Sequence, residues 1–210
     1  MNRGVFYKMI KIGLTGSIGS GKTAALNLFK NYDFLTLNLD EEANRIIKKN
    51  SDEYKKIVDF FGKNILNSDY EINRKILAGI IFSDASKKKV LEDIIYPALR
   101  ADIDRIIKIS RKPAAIIEGA VIIESGYYLN LDKTILVACD FSRRIKRTYN
   151  KFDFEDFIRR NKNQLSEKEK IKKSDFVINN NYGFKFLIPQ INSFIHFLNS
   201  LYKINFPVPE

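Results

Sequence analysis

The run Gly16-Ser17-Ile18-Gly19-Ser20-Gly21-Lys22-Thr23 satisfies the spacing G-x-x-x-x-G-K-[S/T] and lies where that spacing has a mechanism. Upstream, Met9 to Thr15 is an apolar run of strand length; downstream, Ala25, Leu28 and Phe29 share one face of a helical pattern. The context is strand, glycine loop, helix. Glycines let consecutive backbone N–H groups turn toward phosphate oxygens, and the helix N-terminus adds the positive end of its dipole. In such a loop Lys22 reaches the β- and γ-phosphates and the Thr23 hydroxyl binds Mg2+.

The rest of the chain alternates strands and helices. Phe34 to Leu39 makes a second strand that ends on Asp40-Glu41-Glu42, and carboxyl ends of strands are where open α/β sheets place their chemistry. Residues 41–108 follow helical periodicity, broken at Asn50-Ser51-Asp52, Asn67-Ser68-Asp69 and Ser83-Asp84-Ala85-Ser86. Ala114 to Glu118 is a third strand, with Val121-Ile122-Ile123-Glu124 following at once. Thr134 to Cys139 is a fourth, ending at Asp140, and Phe176 to Ile178 a fifth, ending at Asn179-Asn180-Asn181. Between the last two lies a charged segment, 141–173. The final helix repeats Leu187, Ile188, Ile191, Phe194, Ile195, Leu198 and Leu201, with Pro189 confined to its first turn or kinking it. Five apolar strands alternating with helices predict an α/β fold with a parallel, doubly wound sheet. His196 is expected among the core-facing positions of that helix, near its polar boundary, in a structural role.

At 210 residues and 45% hydrophobic content the chain can bury a sizeable core without disulfides, and its single cysteine, Cys139, cannot form one within the chain. A reducing cytoplasm is the expected location. No apolar run is long enough to span a bilayer, so no membrane partner is expected, and the N-terminal MNRGVFYK is too short and polar for a secretory h-region. The net charge of +11 is scattered over Lys48-Lys49, Lys87-Lys88-Lys89, Arg143-Arg144, Arg159-Arg160 and Lys172-Lys173. Scattered charge suits a solvated surface better than a nucleic-acid face, so no nucleic-acid partner is expected. The exception is 143–173, where basic residues would face a triphosphate. Asp59-Phe60-Phe61-Gly62 mimics the motif of a nucleotide switch but lies inside a helical pattern. Asn161-Lys162-Asn163-Gln164 lacks the aspartate that guanine recognition requires. Another small-molecule or nucleoside monophosphate kinase, and a non-catalytic switch, remain the alternative readings.

Finer residues narrow the choice. Gly13 to Thr23, Asp40, Phe61-Gly62, Ile72-Asn73-Arg74-Lys75-Ile76-Leu77, Leu91 to Pro97, Ile122-Ile123-Glu124, Arg147, Gln164 and Ser174 to Asn180, in this order and spacing, resemble the dephospho-coenzyme A kinase family from Met9 to about residue 200. The resemblance implies a five-stranded parallel sheet in the order 2-3-1-4-5, a helical domain for dephospho-coenzyme A over 41–108 and a basic helical lid over 141–173. The nucleotide-binding core would then be 9–40, 109–140 and 174–203. It implies ATP-dependent phosphorylation of the acceptor's ribose 3′-hydroxyl, with Mg2+. Asp40 stands where the family has its catalytic carboxylate, and it also suits the N-cap of a helix over 41–48. Arg74 matches the arginine of the substrate-binding helix; Arg147 and Lys170 fall at lid positions facing ATP, Lys170 where arginine is common. Tyr96 and Glu118 fall at substrate positions, Tyr96 in place of a histidine and Glu118 opening a segment where a proline is usual. Asn38 replaces the first of two aspartates, and the lid is about two residues shorter between Lys151 and Gln164. Residues 1–8 have no counterpart, which makes Met9 the expected natural start, and 204–210 form a tail.

Overall fold

A computed structural model describes residues 9–204 and 206; the expectations for 1–8 and for nearly all of the tail lie outside the described residues. The chain divides into two units, residues 1–37 with 111–210 and residues 38–110.

The first unit holds the sheet. Strands β1 (Ile10–Thr15), β2 (Leu35–Asn38), β3 (Ala114–Glu118), β4 (Lys133–Ala138) and β5 (Phe176–Asn179) lie in the order β2-β3-β1-β4-β5. Strand β1 pairs in parallel with β3 and β4, and β4 with β5. All five residues of β3 are buried, as is most of β1 and β4. Parallel strands covered on both faces read as continuous apolar runs rather than alternating ones, which is why Ala114 to Ile117 carries no polar residue. On one side the core joins β1 and β3 to helices α1 (Lys22–Phe29) and α9 (Leu187–Tyr202) through Ile12, Leu14, Phe29, Ile116, Val137, Ile178 and Phe194. Phe29 sits edge-on to Phe34 and Phe194, with centroids 5.6 and 6.1 Å away. Pro189 occupies the first turn of α9, where its missing N–H leaves no helical bond unmade. The charged segment forms three short helices, α6 (Phe141–Thr148), α7 (Phe154–Lys162) and α8 (Glu167–Lys172).

The second unit is helical: α2 (Leu39–Ile46), α3 (Asp52–Phe61), α4 (Arg74–Ser83) and α5 (Ala85–Ile109). Its own small core gathers Ile57, Ile65, Leu77 and Leu91, flanked by Phe61, Ile80, Ile81, Ile94 and Ile95. Two of the three breaks in periodicity hold N-caps, Ser51 and Asp84, whereas Asn67 accepts from the N–H groups of Asp69 and Glu71 in a turn. Ser51 accepts from Tyr54 N–H, Asn73 from Lys75 and Ile76, and Asp84 from Ser86 and Lys87.

Two expectations need correction, those for Asp40 and His196. Asp40 is not an N-cap: Asn38 is, its Oδ1 accepting from the N–H groups of Asp40 and Glu41 at 2.9 and 3.1 Å, so β2 stops at Asn38 and Asp40 enters the first turn of α2. After β3 the chain turns at Val121 to Glu124, with Ser125 N–H donating to Val121 O at 2.9 Å while Ile122 and Ile123 are buried. His196 is exposed, because the buried stripe of α9 runs through Leu187, Ile191, Phe194, Ile195 and Leu198 and leaves position 196 outside it. Among the described residues no helix is long and apolar enough to cross a membrane.

Phe29 is fully buried at the meeting point of α1, α9 and the loop before β2. Phe29→Ala should therefore lower stability by about 3–5 kcal/mol. A denaturant titration checks this: the midpoint should fall with an unchanged slope.

Candidate active site

The loop between β1 and α1 is held by its carbonyl groups. Ser20 O accepts from Asn180 Nδ2 at 2.7 Å and from Arg147 Nη1 at 3.2 Å, and Ile18 O accepts from Arg144 Nη1 at 3.3 Å. In a trans peptide the carbonyl and the following N–H point opposite ways, so fixing these oxygens turns the N–H groups of Gly19 and Gly21 to the other side. A tight turn within the loop, Ser20 N–H to Ser17 O at 3.0 Å, completes the curl. The loop needs glycine at both positions. Gly21 has φ +94°, and a Cβ there would stand 2.2 Å from Asn180 Nδ2; Gly19 has φ +77°, and its Cβ would stand 2.7 Å from Arg144 O. Helix α1 starts directly at Lys22, whose half-buried ammonium reaches back to Ser17 O at 3.5 Å, and Thr23 is exposed in its first turn. The hydroxyls of Thr15 and Ser20 are fully buried and have no hydrogen-bond partner among the described residues.

Residues of α6 to α8 and of the turn after β3 close around this loop. Gln164 accepts from Ile18 N–H at 2.9 Å and donates to Ala120 O at 3.3 Å. Arg147 spans from Ser20 O to Asn180 O, at 2.7 Å, and to the sulfur of Cys139 at 3.3 Å. Cys139 is buried, which pushes its thiol up against the opposing pull of Arg147 and Arg144. Its N–H donates to Glu167 Oε2 at 3.0 Å.

Lys170 differs from expectation. Its side chain is fully buried and its ammonium meets Glu124 Oε1 at 2.8 Å and Ala120 O at 3.1 Å. Burial lowers its pKa, with Glu124 opposing that shift. An ammonium committed to a carboxylate and a carbonyl is not presented to a triphosphate, so Lys170 is an anchor of α8 rather than a phosphate ligand. Glu124 Oε1 also accepts from Leu165 N–H at 3.0 Å, whereas Oε2 is buried without a partner among the described residues. A buried pair of this kind contributes little net stability against apolar residues of the same size, but breaking it leaves a charge uncompensated.

Arg144, Asn161 and Asn180 play larger parts at the loop than sequence reasoning assigned them. Only the position of Asn180 just after the fifth strand, and the spacing of Arg144 and Thr148 on one face of α6, signalled anything. Glu118 closes β3 opposite Leu14 and is buried, with Gly119 N–H donating to Leu14 O at 3.0 Å.

The other site residues belong to the helical unit. Asp40 lies in the first turn of α2. Tyr96 on α5 is half-buried, its hydroxyl 3.3 Å from Glu92 Oε1. Burial pushes its phenol up to about 12, reinforced by Glu92 and Asp40 and opposed by Arg100, so it stays a neutral hydrogen-bond donor at physiological pH. Arg74, the first residue of α4, lines a groove of about 640 Å³ together with Glu41, Arg45, Lys48, Lys49 and Glu71. Arg45 is tied to Glu42 and Asp102.

Gly21→Ala should weaken ATP binding by at least ~10-fold, since both the left-handed backbone and the Asn180 contact forbid a side chain there. Gly79→Ala, where nothing lies within 4 Å, serves as its control in α4 and should be neutral or stabilising by about 0.5–1 kcal/mol. Calorimetric titration with ATP and thermal melts of both variants check the pair.

Comparison with known proteins places this geometry. The family profile "Dephospho-CoA kinase" matches residues 10–185. A dephospho-CoA kinase from Aquifex aeolicus is 38% identical over 177 residues, covering 82% of this chain and 89% of its own. One from Gamma-proteobacterium EBAC31A08 is 38% identical over 186 residues, covering 86% and 93%. Among solved structures, dephospho-CoA kinase from Campylobacter jejuni aligns over 92% of this chain and 98% of its own, with a TM-score of 0.64 and 29% identity. With its glycine loop, its five-stranded sheet order and this match over most of its length, the chain belongs to the dephospho-CoA kinase family.

Proposed function

We propose that the protein transfers the γ-phosphoryl group of ATP to the ribose 3′-hydroxyl of dephospho-coenzyme A, giving coenzyme A and ADP. The observation that carries this is the loop at residues 16–23, its carbonyls drawn back by Asn180, Arg147 and Arg144, in a chain matched to the family over residues 10–185. In this reading residues 41–108 bind the acceptor and 141–173 form the lid.

Phosphoryl transfer asks the protein mainly to position the reactants and to neutralise charge on the moving group. The loop N–H groups and Lys22 would do so at the β- and γ-phosphates, and Lys22 must leave Ser17 O to reach them. Arg147 would complete the cationic wall while holding Ser20. The residues present fit Mg2+. Thr23 offers one exposed hydroxyl in the first turn of α1, directly after the phosphate loop. Few protein ligands suit an ion that keeps its waters and binds through phosphate oxygens. When bound, it would neutralise charge on the β- and γ-oxygens. Asp40 would orient the 3′-hydroxyl and take its proton. Tyr96, neutral and close enough to feel the charge of Asp40, would be a donor to the acceptor or to that carboxylate. Arg74, Lys48 and Lys49, which line the groove of the helical unit beside Glu41, Glu42 and Glu71, would meet phosphate groups of the acceptor.

ADP release should require dephospho-coenzyme A, with a product heavier by one phosphoryl group; turnover of a nucleoside monophosphate instead would keep the kinase and replace the acceptor. Lys22→Ala should abolish turnover. Asp40→Asn should lower kcat by ~10²-fold or more while ATP binding persists. Preserved chemistry with lost ATP binding would make Asp40 structural.

A further inference from the structure

Arg144 is a buried cation that the proposed chemistry uses as a hydrogen-bond donor to Ile18 O but whose charge it leaves without a task. Its residue is only 6% exposed, and burial lowers its pKa, though a guanidinium remains charged at any physiological pH. Its hydrogen-bond partners among the described residues are neutral: Cys139 O from Nε at 3.1 Å, and Ile18 O and Asn161 Oδ1 from Nη1 at 3.3 and 2.8 Å. The rings of Phe141 and Phe157 stand 5.3 and 6.0 Å from the guanidinium carbon. Glu167 offsets the charge electrostatically, but its Oε2 accepts from Cys139 N–H. The positive field of Arg144 even reaches Lys170, where it disfavours the ammonium.

An isolated buried charge is expensive unless something compensates it. Here the candidate compensation is an anion on the far side of one peptide. Arg144 grips Ile18 O, and Gly19, whose N–H belongs to the same peptide, packs so close to Arg144 that a Cβ would meet its backbone. We propose that Arg144 is a positioning residue for phosphate binding: from behind the loop it fixes the Ile18–Gly19 peptide and holds positive charge against the anion cradle, without touching the phosphates. The inference rests on the loop being the triphosphate site. It assigns phosphate affinity to a residue outside the loop motif and separates Arg144 from neighbouring Arg143, which is exposed and faces Asp140 at 3.8 Å.

Two substitutions separate charge from hydrogen bonding. Arg144→Gln keeps an amide donor for Ile18 O and removes the charge; Arg144→Lys keeps the charge and loses the fork. Calorimetric titration with inorganic tripolyphosphate, pyrophosphate and ATP is the readout, alongside steady-state kinetics. Arg144→Gln should bind tripolyphosphate ~10-fold more weakly and pyrophosphate less affected, with the kinetic loss concentrated in the KM for ATP rather than in kcat. Arg144→Lys should recover most of that loss. A purely structural role would weaken all ligands alike and Arg144→Lys would rescue nothing; that pattern, or Arg144→Gln binding within twofold of wild type, overturns the proposal. Should either variant fail to fold, Asn161→Ala, which leaves Nη1 with Ile18 O alone and the cation in place but less firmly held, should raise the KM for ATP at least twofold, and no change would equally overturn it. Failure of the wild-type protein to bind tripolyphosphate and ATP would instead overturn the phosphate-loop reading beneath it.

Discussion

The structure turns on the backward pull exerted on two carbonyl oxygens, Ile18 O and Ser20 O. A loop that presents N–H groups to an anion must dispose of the carbonyls of the same peptides, and these carry partial negative charge that an anion would meet if they were free to rotate. Asn180 and Arg147 take one and Arg144 the other. Those three donors come from after β5 and from α6, so the order β2-β3-β1-β4-β5, which sets β4 and then β5 beside β1, is what brings them to the loop. The glycines answer the same constraint from inside: Gly19 and Gly21 leave room for Arg144 and Asn180 to approach.

The second ring of support is electrostatically uneven. Lys170 and Glu124 neutralise each other in a buried contact that pins α8 and Leu165 to the turn after β3, and Gln164 passes that anchorage on to Ile18 N–H. The buried arginine at position 144 has no such counter-charge in direct contact among the described residues. A site that receives a polyanion can tolerate such an imbalance, because the ligand supplies the missing charge; a purely structural core would gain by removing it. Most other charge is surface charge. The Lys87-Lys88-Lys89 run on α5, for instance, faces Asp84, Glu92 and Asp93 across one helical turn, where such pairs contribute little.

Much of this was legible in the chain. The glycine loop carries its own context within some twenty residues, and the strands of a parallel sheet are buried on both sides, so they stand out as apolar runs against the polar breaks. Ser51 and Asp84 cap helices where their clusters indicated. Less legible were positions with two plausible local uses. Asp40 and Asn38 are both good caps by residue type, and the choice fell to Asn38 because β2 delivers it to the helix entrance in an extended conformation with its side chain over two free N–H groups. Val121 to Glu124 has the composition of a strand yet turns, burying Ile122 and Ile123 and carrying Glu124 to Lys170.

By itself, then, the sequence determined the elements and the phosphate loop, since both depend on periodicity and on backbone freedom, which are local properties. Only the tertiary structure decided which polar side chains turn inward. In 141–173 apolar residues are sparse, so helical periodicity gives little contrast between faces, and Lys170, Arg144 and Gln164 cannot be told from solvated neighbours such as Lys168 and Arg143. Their burial is set by partners far along the chain: Ile18 is 126 residues from Arg144 and 146 from Gln164, and Ala120 is 50 from Lys170. A polar group is stable inside a protein only where a specific partner meets it, and that meeting is made by the fold.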